Sequence, residues 1–193
     1  MKEKIYLGIG SNVGDRAENI MSALSFLQSS GLAVVRKISS FYETSPVGPK
    51  QRNFYNAVAE AETSLTPQEL LVLVKEAERL LGRKASKHWG PRLIDIDILF
   101  YGDKVIKSEE WRVKSEDTAR KKSCFISTLH SPLFTLPLEI PHKEIQNRLF
   151  VLSPLNEIAP SLIHPTLNRK INAILHEKLL TLADQKVKII NNE

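Results

Sequence analysis

The chain has 193 residues, 42% of them apolar and 25% charged, which is enough to bury a core in one domain without disulfides or structural metal. Its 27 Lys and Arg against 22 Asp and Glu give a net charge of +5, which favours an anionic partner. The basic residues are dispersed and aromatics make up only 7%, so a compact small-molecule polyanion fits better than a nucleic acid.

The lone cysteine, Cys124, excludes an internal disulfide and a cysteine-rich metal site; it reads as a small buried apolar residue in a reducing compartment. The start, Met1 to Tyr6, lacks the apolar stretch of a secretory signal. No later run approaches the roughly 20 apolar residues that cross a bilayer. The expectation is a cytoplasmic protein that does not engage a membrane.

In chain order, Ile5 to Gly10 is a short apolar strand running into Gly8-Ile9-Gly10-Ser11-Asn12-Val13-Gly14-Asp15. Ile20, Leu24 and Leu27 then recur at helical spacing. The glycine spacing is one residue longer than the dinucleotide fingerprint, and a hairpin follows instead of a parallel crossover, which argues against that fold. Val34 to Thr44 is rich in β-branched and aromatic residues, and Phe54 to Thr63 is another strand, with Phe54 and Asn56 on one face and Tyr55, Ala57 and Ala59 on the other. Between them lies the turn-rich loop from Ser45 to Gln51.

Thr66-Pro67-Gln68-Glu69 is a capping box with proline at the first helical position, and Leu70, Val74, Ala77 and Leu81 give a buried stripe up to Gly82. Arg83 to His88 is a polar segment suited to a mobile loop. Ile94, Ile96, Ile98 and Phe100 then alternate with Asp95 and Asp97, as on a strand with one buried face. The order strand, helix, strand, strand, helix, strand predicts an α+β ferredoxin-like sandwich, a largely antiparallel sheet with helices packed on it. Residues 142 to 193 add C-terminal elements: an apolar segment Leu149 to Leu155, a helix near Leu167 to Leu182, and a strand at Val187 to Ile190. Residues 1–193 read as one domain, with an insertion at 107–135.

Trp89-Gly90-Pro91-Arg92-Leu93-Ile94-Asp95-Ile96-Asp97-Ile98 carries the chemistry. Asp95 and Asp97 project from one strand face at Cα positions roughly 6.8 Å apart, close enough to share hard cations that neutralise polyphosphate oxygens. A D-x-D pair on a half-exposed strand is also a common solvated face; Arg92 and Trp89 beside it favour the site.

These motifs together resemble the 6-hydroxymethyl-7,8-dihydropterin pyrophosphokinases, which move a diphosphate from ATP to a pterin alcohol and release AMP in folate biosynthesis. The resemblance covers nearly the whole chain. It rests on Gly8-Ile9-Gly10-Ser11-Asn12, Phe41-Tyr42-Glu43-Thr44 with Pro46-Val47-Gly48-Pro49, Asn56-Ala57, Trp89 to Ile98, Ile140-Pro141-His142 and Arg148 to Pro160. It implies that Asp95 and Asp97 bind two Mg2+ ions and that Arg83 and Arg92 act with them as the catalytic guanidinium clamps. Glu78, Trp89, Arg92, Ile98, His142 and Arg148 would hold ATP.

For the pterin the resemblance implies Phe54 and Phe150 as the two stacking faces, with Thr44, Val47, Asn56, Trp89 and Asp95 at its edge. Phosphoryl transfer runs mainly on alignment and fixed positive charge, which suits metal and arginine. Other roles stay open for several of these residues: a solvated helical charge for Glu78, a loop anchor for Trp89, core packing for Phe54 and Phe150, a turn for His142 and a surface cap for Arg148. The implied partners are small molecules only, with no nucleic acid and a monomeric enzyme, free-standing to Glu193.

The chain departs from the family pattern at Ala85, where a second loop arginine is common, at His88 in place of arginine, and at Lys75 in place of glutamine. The 107–135 insertion replaces a short connection. These departures motivate two alternatives, a catalytically weak pterin- and ATP-binding homologue and a ferredoxin-like nucleic-acid-binding module. The second lacks the aromatic strand pattern it needs.

Overall fold

A computed structural model describes residues 1–46, 49–83, 90–107, 137–182 and 184–190. Val47, Trp89, Cys124, nearly all of the Arg83 to His88 loop and all of the insertion beyond Lys107 lie outside the described residues. Among the described residues no helix is long and apolar enough to cross a membrane.

The elements run β1 (Glu3–Ser11), α1 (Arg16–Ser29), β2 (Ala33–Ile38), β3 (Phe41–Thr44), β4 (Phe54–Thr63), α2 (Pro67–Leu80), β5 (Asp95–Tyr101), a 3-10 turn (Ile145–Asn147), α3 (Leu149–Ile158), β6 (Ile163–His164), β7 (Arg169–Lys170), α4 (Ile171–Thr181) and β8 (Val187–Ile190). The main sheet has the order β5-β1-β4-β3-β8, with β2 beside β3 along the same edge of β4, and all its pairs are antiparallel. This is the α+β arrangement expected from the element order.

The long β-rich stretch from Val34 to Thr44 is two strands. The ladder is interrupted at Ser39, whose hydroxyl accepts from Val58 N at 3.0 Å while its own N–H donates to Val58 O at 2.9 Å. The predicted helix near Leu167 to Leu182 starts only at Ile171, because the β6-β7 hairpin occupies the residues before it. The apolar run Leu149 to Leu155, unassigned by its pattern, is the body of α3.

Helices α1 and α2 cover one sheet face, burying Ile5, Leu7, Ile9, Ala57, Ala59, Ile96 and Ile98. Each fully buried Ile or Leu of this layer contributes roughly 1.5–3 kcal/mol. The opposite face is covered by α3 and α4 only over Tyr6, Val58, Leu99 and Phe100. Phe100 therefore lies on the face opposite to Ile96 and Ile98, against the simple alternation. The β1-β5 register shifts between Tyr6 and Leu7, leaving Leu99 as an extra residue, and a bulge of that kind turns the following side chain to the other face. Beyond the reach of α3 and α4, the same face stays open.

Candidate active site

The open end of the sheet is the floor of a cleft of about 620 Å³. Its floor is set by register: Gly10 of β1 lies between Asn56 of β4 and Asp95 of β5, and Gly8 lies between Val58 and Asp97. A Cβ on Gly10 would stand 2.9 Å from Asn56 Oδ1, and one on Gly8 3.3 Å from Leu99 Cδ2. The two glycines keep this floor flat and leave Asn56 its rotamer. Sequence reasoning missed them as site residues. The signal was available, since two glycines at i and i+2 inside a strand mark a face where something approaches the backbone.

Thr44, Phe54, Asn56, Arg92, Asp95, Asp97, His142, Arg148 and Phe150, all predicted site residues, line this one cleft. Asn56 is buried and its Nδ2 donates to Thr44 Oγ1 at 2.8 Å, which leaves Oδ1 as an acceptor without a partner among the described residues. Phe54 enters from the sheet. Phe150 enters from α3, with the Arg148 guanidinium 5.6 Å from its ring centre.

Asp95 Oδ1 sits 2.8 Å from Arg92 Nη1 and 2.8 Å from Arg83 Nη1. Arg83 reaches it because α2 ends in a Schellman turn: Gly82 adopts φ +93°, its N–H donates to Arg79 O, and Arg83 N donates to Glu78 O at 2.9 Å. That left-handed position suits glycine alone. Arg83 is thus beside the acidic pair without lining the cleft.

Glu78 is neither a solvated helical charge nor a lining residue. It is 2% exposed, its Oε1 accepts from Ile96 N at 2.7 Å and Lys75 Nζ at 2.8 Å, and its Oε2 pairs with Arg83 Nη1. Lys75 also donates to Ile96 O at 3.2 Å, so the pair holds both backbone groups of the residue between the two aspartates. Burial pushes the Glu78 carboxyl up, against the pull of Lys75, the Ile96 N–H and Arg83. Ile98 also departs from expectation, because its side chain is packed in the α1-α2 core and only its backbone remains for a ligand.

Asp97 has no ion pair among the described residues. In the cleft it acts on His142, whose imidazole is pushed below its ordinary value by burial, with Asp97 pulling the other way and Arg148 adding to the downward shift. The His142 Nδ1 accepts from Glu144 N at 3.3 Å, so the neutral ring carries its proton on Nε2. Asn12, which motif spacing alone did not single out, ties three loops at the cleft rim. Its Oδ1 accepts from Arg92 N at 2.7 Å and its N–H donates to Arg92 O at 3.0 Å, while Nδ2 donates to Gln51 and to Arg52 O. Lys143 lines the cleft as well and adds a cation that sequence reasoning passed over.

The family model for 7,8-dihydro-6-hydroxymethylpterin-pyrophosphokinase (HPPK) matches residues 6–160. The chain belongs to the HPPK family. It is 38% identical over 177 residues to the 2-amino-4-hydroxy-6-hydroxymethyldihydropteridine pyrophosphokinase of Aquifex aeolicus, covering 91% of this chain and 92% of that protein. The Bacillus subtilis enzyme of the same name is 36% identical over 82% of this chain and 79% of its own. Some HPPK relatives are fused proteins: the bifunctional protein FolKE of Lactococcus lactis is 40% identical over 79% of this chain, which spans 36% of it.

Among solved structures, Plasmodium falciparum HPPK-DHPS superposes with a TM-score of 0.71 over 95% of this chain and 47% of that one, at 18% identity. That likeness is one of fold.

Proposed function

We propose that this cleft binds ATP and 6-hydroxymethyl-7,8-dihydropterin together and aligns the pterin hydroxyl with the β-phosphorus of ATP. The reaction itself is that of the HPPK family, pyrophosphoryl transfer to hydroxymethyldihydropterin in folate biosynthesis, with ATP as co-substrate. The observation that carries the residue assignment is the convergence of Asp95, Asp97, Arg92, His142 and Arg148 with Phe54, Phe150 and Asn56 on one glycine-floored cleft.

The flat pterin stacks on Phe54 and Phe150, and its amino and ring N–H groups find Asn56 Oδ1 and the Asp95 carboxylate. The ATP polyphosphate lies along Arg92, Arg148 and the neutral His142, which donates from Nε2. The pterin hydroxyl oxygen forms the new bond to the β-phosphorus, the bond from that phosphorus to the bridging oxygen of AMP breaks, and the hydroxyl proton is released. Planar guanidinium groups suit the charge spread over the phosphoryl oxygens in flight better than lysine would.

Asp95 and Asp97, in a chain with no cluster of three or more metal-ligating side chains among the described residues, are a donor set that suits Mg2+, which takes one or two protein carboxylates and completes its shell with phosphate oxygens and water. Asp95 and Asp97 would hold two Mg2+ ions, which neutralise phosphate charge and favour departure of AMP. Arg83 and Arg92, now on Asp95, then turn toward the phosphates. Glu78 and Ile98 contribute to ATP binding through β5 and its backbone. Trp89 and Val47 complete the nucleotide and pterin edges in this reading. The chain acts as a single catalytic unit, monomeric and cytoplasmic, on small-molecule substrates.

The test is to incubate the protein with ATP, Mg2+ and the dihydropterin alcohol and resolve the products. AMP with pterin diphosphate is expected in equal amounts; ADP, or no pterin product, would refute the reading.

A further inference from the structure

The segment after α4 lies outside the residues matched by the family model, which ends at 160, yet it reaches the cleft. Gln185 lines the cavity. Its N–H donates to Leu182 O at 3.0 Å, which fixes the turn that carries it. Its amide makes two hydrogen bonds around Arg148: Oε1 accepts from Leu149 N at 2.9 Å, and Nε2 donates to Asn147 O at 2.9 Å.

Leu149 is the first residue of α3, and Arg148 at the N-cap makes no side-chain capping bond. The first amides of a helix need an acceptor from outside it, and here the C-terminal segment supplies one. Two residues further on, Val187 pairs with Thr44 in the antiparallel β3-β8 ladder. One short segment therefore fastens the wall that carries Arg148 and Phe150 to the strand that carries Thr44 and, through it, Asn56.

We infer that Gln185 is a positioning residue for substrate binding, an amide clamp that sets Arg148 for the nucleotide and Phe150 for the flat ring. This rests on the reading of the cleft given above. The two ends of the amide act on different ligands. Oε1 orders the first turn of α3 and with it Phe150, whereas Nε2 holds the Asn147 carbonyl and with it the backbone before Arg148.

The test is steady-state kinetics with ATP and 6-hydroxymethyl-7,8-dihydropterin on the full chain carrying Gln185→Ala or Gln185→Glu, with thermal melting alongside. Loss of both hydrogen bonds in Gln185→Ala is expected to raise both KM values roughly ten-fold, with kcat within about two-fold. Gln185→Glu keeps an acceptor for Leu149 N but turns an oxygen toward Asn147 O and adds a negative charge near the phosphates. Its KM for ATP should rise while that for the pterin stays near wild type.

A general loosening of the fold would lower the melting temperature and move both KM values equally in the two variants, which would overturn the proposal; so would a Gln185→Ala enzyme with both KM values unchanged. Should the wild-type protein form no pterin diphosphate, the reaction assignment fails by itself. Fluorescence titration of the pterin with α,β-methylene-ATP then decides the clamp alone. Weaker pterin binding in Gln185→Ala supports it, and equal binding refutes it.

Discussion

Replacing Glu78 with alanine separates a brace beneath the site from a ligand contact within it. The substitution leaves the Ile96 N–H, now 2.7 Å from Glu78 Oε1, without an acceptor at a buried position, which costs about 1–3 kcal/mol. It also strips the counter-charge from Lys75 and Arg83. Their side chains are 24% and 26% exposed and Arg83 retains Asp95, so solvent offsets much of that loss and roughly 1 kcal/mol more is expected. A total near 3 kcal/mol lowers the melting temperature of a domain of this size by roughly 6–12 °C.

Glu78→Gln keeps an oxygen for Ile96 N and removes the burial penalty that pushes the carboxyl up, so it should lose only about 1 kcal/mol. Thermal melts and calorimetric titration of Mg-ATP on the same samples decide the matter. The brace predicts large destabilisation in Glu78→Ala, mild in Glu78→Gln, and ATP affinity lowered in step with stability. An Ala variant that melts like wild type and yet loses ATP binding would refute the brace and make Glu78 a direct contact.

Asp97→Asn should abolish Mg2+-dependent turnover, by about a hundred-fold or more, with the melting temperature held or raised, since the carboxylate has no ion pair among the described residues; a product-release assay on the folded variant checks it. Gly10→Ala should weaken pterin binding roughly ten-fold, because its Cβ would displace Asn56 Oδ1 from 2.9 Å, while ATP binding stays within two-fold; equal loss of both ligands would count against the floor. His164 is buried with its ring edge-on to Phe100 at 5.4 Å, and burial holds its imidazole below the ordinary 6.5. Between the folded and unfolded values the unfolded chain binds more protons, so this stability is complete above pH 6.5 and is lost as pH falls below it. Urea midpoints at pH 7.5 and 5.5 should diverge in wild type and by less in His164→Leu, where His142, likewise held below its ordinary value by burial, still contributes; an unchanged gap would refute the assignment to His164.

Much of this site was legible because strands alternate. Phe54 and Asn56 on one face of β4, and Asp95 and Asp97 on one face of β5, follow from a period of two, and both pairs do meet in the cleft. The α2 helix was legible from its capping box, realised as Thr66 N to Glu69 Oε2 at 2.7 Å and Glu69 N to Thr66 Oγ1 at 3.3 Å. The burial of Glu78 was not legible, for a physical reason. Helical spacing gives the face of a residue but not what packs there, and the Ile96 backbone groups, which call for a buried charge pair, belong to a strand eighteen residues away. Phe100 was misread because a single-residue bulge leaves no mark in local composition.

The position of the cleft follows from an unequal cover on the two sheet faces. On the α1-α2 side apolar residues continue to the end of the strands, through Ile9, Ala57 and Ile96, and the helices lie over all of them. On the other side the apolar residues stop at Val58 and Leu99, and the positions beyond are Gly8, Gly10, Asn56, Asp95 and Asp97. Helix α3 begins at that edge, and its N-terminus, whose first amide is capped by Gln185 Oε1, brings Arg148 and Phe150 to the rim of the open floor. The same change from apolar to polar residues along one strand face therefore ends the core and begins the site. A substitution that extends the apolar face, such as Asp97→Leu, should stabilise the fold as it removes the chemistry.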